Sequence, residues 1–240
     1  KAALEQGDYS LADDIFAEIE AKNELAVQET ARAAYGRGEV AEAEVRWADA
    51  AGFYERSAEL HPSFEALQKA SDYCERAGRY EAALTWSARL VSFAKQHESQ
   101  ERYAAALNEH ALNSKSLGRY AEAEELYREA LEIDLATIGS GHPNYAIRLN
   151  NLAGVVEDQG RYAEAEGLYR EALEITREAV GEGHPSYAIR LNNLAGVLVK
   201  QGKPEAARSL YEQAFEVFCA TLPPDHPHIA GVEGHIAKLP

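Results

Sequence analysis

Asparagine recurs at positions 108, 150 and 192, and a second asparagine stands beside the latter two, at 151 and 193. An amide side chain carries both donors and an acceptor, so it can satisfy the N–H and the C=O of an extended peptide backbone. It is also a poor residue for the middle of a helix. A regular recurrence inside helical sequence therefore needs a reason, and two are open. The asparagines could clamp a partner's backbone with little regard to its side chains, or they could cap or cross-link neighbouring helices. Arg148 and Arg190 adjoin them and could pair with a partner's acidic groups or with glutamates of this protein. Lys200 adds a further cation to the candidate set.

Other chemistry is missing from the pattern. No G-x-S-x-G nucleophile signature, H-E-x-x-H helix or phosphate-binding glycine loop occurs. The Gly181-Glu182-Gly183 stretch reads as a helix terminator before His184. His142, His184 and His226 repeat with the asparagines' period, which marks them as junction residues rather than a converging site. Asp225, His226 and His228 could take a stray metal, but no native metal, cofactor or catalytic pair is expected. The net charge of -16, from 40 acidic and 24 basic residues, argues against nucleic acid and against an anionic membrane surface. It serves solubility, or a groove that prefers basic or neutral partners. No apolar run reaches the roughly 20 residues that span a bilayer, and no signal-peptide pattern opens the chain. Cys74 and Cys219 lie far apart within apolar helical patterns, so buried thiols in a reducing, cytoplasmic setting are expected. Without an initiator Met, the sequence reads as a piece of a longer polypeptide.

The elements that must position these residues repeat. Residues 142–183 begin HPNYAIRLNNLAGVVEDQG, residues 184–225 begin HPSYAIRLNNLAGVLVKQG, and 100–141 shares GRYAEAE and LYREALEI with 142–183. Three tandem units with one period of 42 residues point to a repeat architecture. Each unit reads as two helices, A and B. In 142–183, His142-Pro143 opens helix A, because the missing N–H of proline costs nothing in a first helical turn. Leu149, Leu152, Ala153 and Val156 then fall on one face, and Gly160 ends the helix. Helix B begins near Tyr162 and carries Ala165, Leu168, Tyr169, Ala172 and Ile175 as a single stripe. A lone helix pair cannot bury both stripes, so neighbours must cover them.

The run Gln159-Gly160-Arg161-Tyr162 followed by Ala165, Tyr169 and Ala172 resembles the tetratricopeptide-repeat (TPR) signature. The His-Pro junctions, the Leu-Asn-Asn-Leu-Ala block and the long period resemble the variant found in kinesin light chains. The resemblance implies an all-α, right-handed α-solenoid of antiparallel helix pairs, read as a single array over 1–240. Within it, 100–141, 142–183 and 184–225 are regular units and 63–99 is a degenerate one, with Gly78-Arg79-Tyr80, Ala83 and Trp86. Residues 7–62 are degenerate or irregular, with Gly7-Asp8-Tyr9 opening a helix B of a truncated unit. The stretch 23–45 could be one long helix with Gly36 and Gly38 inside it. His226-Pro227 opens a terminal helix over 226–240.

In the family, helices A line a concave face. The resemblance thus places Asn108, Asn150, Asn151, Asn192, Asn193, Arg148, Arg190 and Lys200 at a peptide-binding groove. Glu109, Leu112, Lys115, Ile147, Glu157, Asp158, Ile189 and Val199 stand beside them, and Gly154 and Gly196 leave room for a ligand's side chains. The implied function is a non-enzymatic scaffold that binds a protein or peptide partner. The alternatives are self-association through the array ends, motivated by apolar stripes at 1–6 and 227–240, and regulation of a flanking domain held in the groove.

Overall fold

A computed structural model of the chain describes residues 9–240, and all regular structure among these is helical. The helices are α1 (Tyr9–Ala43), α2 (Trp47–Leu60), α3 (Phe64–Arg76), α4 (Tyr80–His97), α5 (Gln100–Ser116), α6 (Tyr120–Thr137), α7 (Pro143–Asp158), α8 (Tyr162–Val180), α9 (Pro185–Lys200), α10 (Pro204–Thr221) and α11 (Pro227–Ala237). They fall into two compact units that divide between Gln96 and His97. The Gly7-Asp8 pair and the stripe at 1–6 lie outside the described residues.

In the second unit α5 packs with α6, α7 with α8 and α9 with α10, and each B helix packs in turn on the next A helix, as far as α11. The junction histidines set the start of three A helices. The Nδ1 atoms of His142, His184 and His226 accept from the backbone N–H of Asn144, Ser186 and His228 at 3.1, 3.1 and 3.2 Å, with proline at the first helical position each time. Each cap satisfies one of the orphan donors of a helix start. Gly160 closes α7 at φ +80°, where a side chain is disfavoured. Its N–H reaches Glu157 O at 2.8 Å, and Arg161 N–H reaches Val156 O at 3.1 Å, which completes a Schellman motif.

The stripes of both helices disappear into one continuous core. Ala153, Ala165, Ala172, Ala188 and Ala195 have no exposed surface, and Tyr127, Leu152, Leu191, Leu194 and Phe218 are buried between pairs. Each of these large side chains contributes about 1.5–3 kcal/mol on burial. Successive pairs are also tied at their turns. Arg161 meets Glu124 at 2.7 Å, and at the same register one repeat on Lys203 meets Glu166 at 3.1 Å. Arg170 is the main cause that holds the Glu166 carboxyl at about 2.

The first unit solves its packing differently. Residues 9–43 form one uninterrupted helix, with Gly36 and Gly38 inside it. Gly38 is required by sterics: a Cβ there would stand 2.6 Å from the ring of Tyr54, which is wholly buried. The Tyr54 hydroxyl donates to Glu42 at 2.8 Å, and Lys69 reaches the same carboxylate at 2.8 Å. Lys69 first, then Tyr73, hold the Glu42 carboxyl at about 2. Tyr35 and Tyr73 flank Tyr54 with ring centroids at 5.1 and 5.0 Å. Glu55 of α2 collects Arg79 at 2.7 Å, the Trp86 indole at 2.9 Å and the Cys74 thiol at 3.3 Å, which pins α4 and the end of α3. Cys74 is buried, and burial pushes its thiol up to about 12. Cys219 differs from the expectation and is exposed, because the neighbouring Phe218 takes the core-facing position of α10.

The two glycines of α1 give opposite expectations. Gly36 has open space where a Cβ would go, so Gly36→Ala gains helix propensity and raises stability by up to about 1 kcal/mol. Gly38→Ala drives a methyl into Tyr54 and lowers it by about 1–3 kcal/mol. Chemical denaturation of both variants checks the pair; equal effects would contradict the packing of Tyr54 against Gly38.

Candidate functional site

The asparagines of the sequence pattern all sit in the middle of A helices of the second unit: Asn108 on α5, Asn150 and Asn151 on α7, Asn192 and Asn193 on α9. They bond to one another. The Asn151 amide donates to Asn108 Oδ1 at 3.1 Å, and the Asn193 amide donates to Asn150 Oδ1 at 3.0 Å. The second asparagine of each doublet thus reaches back to the first asparagine of the preceding A helix. The series continues to α11, where His235 stands one repeat beyond Asn193. Its Nδ1 lies 3.1 Å from Asn192 Oδ1. The amides therefore form a rail of rungs between successive A helices, which is the cross-linking alternative of the two open readings. An amide can make about four hydrogen bonds, so the rungs leave capacity over. Asn150 is buried, while Asn108, Asn151, Asn192 and Asn193 are half-buried.

The cations have separate fates. Arg148 is buried and forms an ion pair with Asp134 of α6, itself fully buried. Burial pushes the Asp134 carboxyl up, and the charge of Arg148 opposes that rise. One repeat later the carboxylate is missing: Thr176 stands at the register of Asp134, and its hydroxyl donates to Ala172 O at 2.7 Å instead. Arg190, at the register of Arg148, is only 7% exposed and its Nε has no partner. No carboxylate among the described residues pairs with it. Burial lowers its pKa, and the hydroxyl of Tyr169 is what counters this. Lys200 reaches Glu157 at 2.9 Å, Lys115 reaches Asp158 at 3.2 Å, and the Tyr169 hydroxyl donates to Glu157 at 2.8 Å.

Gly154 and Gly196 make room for the protein's own groups. A Cβ at Gly154 would stand 3.0 Å from Lys115 Nζ and 3.4 Å from the Tyr169 hydroxyl, and one at Gly196 3.7 Å from the Tyr211 hydroxyl. Apolar side chains stay bare beside the rail. Leu112, Ile147 and Val199 are 40%, 44% and 40% exposed, at positions four after Asn108, three before Asn150 and seven after Asn192, hence on the same helical face. Asp134, Tyr169 and His235 belong to this site and were not expected from the sequence. The signal for His235 was its register with Asn151 and Asn193; for Asp134 it was the mismatch with Thr176. The His226 and His228 rings lie tilted to each other with centroids 4.9 Å apart, and among the described residues no group of three His, Cys, Asp or Glu is placed to hold a metal.

Comparison with known proteins agrees with the geometry. A tetratricopeptide-repeat family model matches residues 102–178 and 148–220, and a second tetratricopeptide-repeat model matches residues 1–64. The chain belongs to the tetratricopeptide-repeat family. Among solved structures, it is similar to kinesin-light-chain TPR-like repeats from Podosopora anserina, at 22% identity over 73% of this chain and 84% of that one, with a TM-score of 0.62. It is also similar to BtubC (BKLC) from P. vanneervenii, at 20% identity over 89% and 86%, TM-score 0.63. A third similar structure is the Rap conjugation gene regulator of the plasmid pLS20 in complex with the Phr* peptide, at 18% identity over 83% and 56%, TM-score 0.65. At these identities the likeness is one of fold. No curated protein sequence matches the chain. No described helix is long and apolar enough to cross a membrane.

The Arg148–Asp134 pair supplies its own test one repeat on. Thr176→Asp places a carboxylate where Arg190 lacks one and is expected to raise stability by about 1–3 kcal/mol near neutral pH. Thr176→Asn, similar in size but uncharged, is the control in thermal melts; an equal gain from both would assign the effect to packing instead.

Proposed function

We propose that the A-helix face of the second unit docks an extended segment of a partner protein, and that the chain acts as a non-catalytic scaffold in the cytoplasm. The carrying observation is that Leu112, Ile147 and Val199 lie bare on the asparagine-bearing faces of α5, α7 and α9. Large apolar side chains presented by packed helices suit contact with a ligand's apolar side chains. The spare donors and acceptors of Asn108, Asn151, Asn192 and Asn193 would meet its backbone. Lys200 and Arg148 hold the walls through Glu157 and Asp134. The Rap regulator, whose structure contains the Phr* peptide, has the same fold, and this supports the reading without naming a ligand. Two free thiols, one buried and one exposed, suit a reducing compartment.

The test replaces only exposed side chains. A Leu112/Ile147/Val199→Ser variant should melt within about 0.5 kcal/mol per site of the wild type. It should lose the partners that the wild type captures from extract, read by mass spectrometry. Partners held equally by both proteins would remove the A-helix face as the docking surface.

A further inference from the structure

Helix α1 has 35 residues and α2, which folds back along it, has 14. The return ends where Gln28 and His61 line one small cavity. Between Glu18 and Val27 every residue of α1 is exposed, including Ile19 at 49% and Val27 at 40%. An isolated helical stretch of this length is marginal in water, and exposed Ile and Val on it are a cost that a partner would remove. The bare half is also acidic. Asp14, Glu18, Glu20 and Glu24 face one lysine, Lys22, which is spent on Glu18 at 2.7 Å.

The other half of α1 carries the complement. With α2 it encloses a cleft of about 510 Å³, floored by Ala34, Ala48, Gly52 and Phe53. Arg37 and Arg56 line this cleft, and neither has a carboxylate partner among the described residues. The nearby Asp49 is taken by Arg46. The Arg37 guanidinium lies 4.0 Å over the Phe53 ring, which fixes its position but leaves its charge unanswered. In a chain of net charge -16, two unpaired arginines on one small-residue cleft are an unusual local excess. Floor and bare half are continuous, because Ile19, Asn23, Val27, Thr30, Ala34 and Arg37 follow each other at steps of three and four along one face of α1.

We propose that this cleft seats the acidic half of α1 from a second copy of the chain, so that the protein forms a two-fold dimer through paired, antiparallel α1 helices. A two-fold axis near Val27 brings Arg37 of each copy opposite Glu18 of the other, since the positions of facing residues then sum to a constant. Ile19 packs over the small residues of the cleft, and Glu18 and Glu20 on either side of it meet Arg37 and Arg56. A helix antiparallel to α1 in this cleft takes the place that a preceding B helix takes against α7, α9 and α11 in the second unit, so the packing mode is one the chain already uses. The dimer is independent of the proposed groove, which lies on α5, α7 and α9.

Sedimentation equilibrium of the wild-type chain over a concentration series tests this. The expected result is a reversible monomer–dimer equilibrium that shifts toward monomer as salt is raised. Arg37→Glu/Arg56→Glu and Glu18→Lys/Glu20→Lys should each be monomeric with unchanged helical circular dichroism, since all four positions are exposed. An equimolar mixture of the two variants should recover the dimer, because each then presents the charge the other lacks. The Leu112/Ile147/Val199→Ser protein should dimerise like the wild type, which separates this interface from the docking face. A chain that stays monomeric at several hundred micromolar, a dimer indifferent to Arg37→Glu/Arg56→Glu, or a mixture that fails to recover it would overturn the proposal. A monomer whose cleft instead binds a poly-glutamate peptide would overturn it in favour of a different acidic partner.

Discussion

The close approach of helices at alanine is the constraint on which the second unit depends. Ala153, Ala165, Ala172, Ala188 and Ala195 are fully buried, and in a close-packed interior a small side chain at the contact lets two helices come nearer than a large one does. These small contacts recur with the repeat, as Ala123, Ala165 and Ala207 and as Ala130, Ala172 and Ala214, all fully buried. An asparagine side chain is short, so an amide–amide bond from one A helix to the next forms only at close approach. The rungs at 3.1 and 3.0 Å are therefore a consequence of the alanines as much as of the asparagines. In return the rungs lock the sliding register between A helices, which apolar packing alone specifies weakly.

Buried charge follows a stricter rule than the rest of the core. Asp134 and Arg148 leave water together and offset each other's desolvation. Arg190 leaves water without that compensation, and its lowered pKa is the mark of it. In the first unit the corresponding problem is solved locally: Glu42 is shared by Tyr54 and Lys69, and Glu55 by Arg79, Trp86 and Cys74. The Glu42 network works in one direction of pH. Its folded carboxyl is held at about 2, below the ordinary 4.5. Its stabilisation is therefore fully present above 4.5 and fades as the pH falls from there toward 2.

Much of this was legible in the chain. The period, the His-Pro starts, the Gly160 stop and the buried faces of A and B are all local patterns, and helical periodicity reports them directly. The role of the junction histidines as caps was half legible: their place was visible, their Nδ1 acceptor was not. The asparagines show where legibility ends. Their recurrence demanded an explanation, but whether an amide faces a ligand or a neighbouring amide depends on helix-to-helix distance, which no single window of sequence contains. The missing counterion of Arg190 needed two repeats to be compared across different helices. The continuity of α1 through Gly36 and Gly38 was open for the same reason, since it depends on Tyr54, which lies on another helix.

These facts suggest a division of labour between positions that recur and positions that vary. The recurring asparagine doublets, alanines and turn cations spend their chemistry on a neighbouring repeat, and the recurring histidines on the start of their own helix. Residues that break the repeat behave differently. Leu112 stands where the later units have Gly154 and Gly196, Val199 stands where the earlier units have Lys115 and Glu157, and Arg190 lacks the aspartate that its counterpart holds. Ile147 is exposed at 44% while Ile189, at the same register, is half-covered. In an array built by repetition, a rail must be the same in every unit to work as a rail, whereas a docking surface must differ from unit to unit to tell one partner from another. The irregular positions, rather than the asparagines that first draw the eye, are thus where specificity for a ligand would be written.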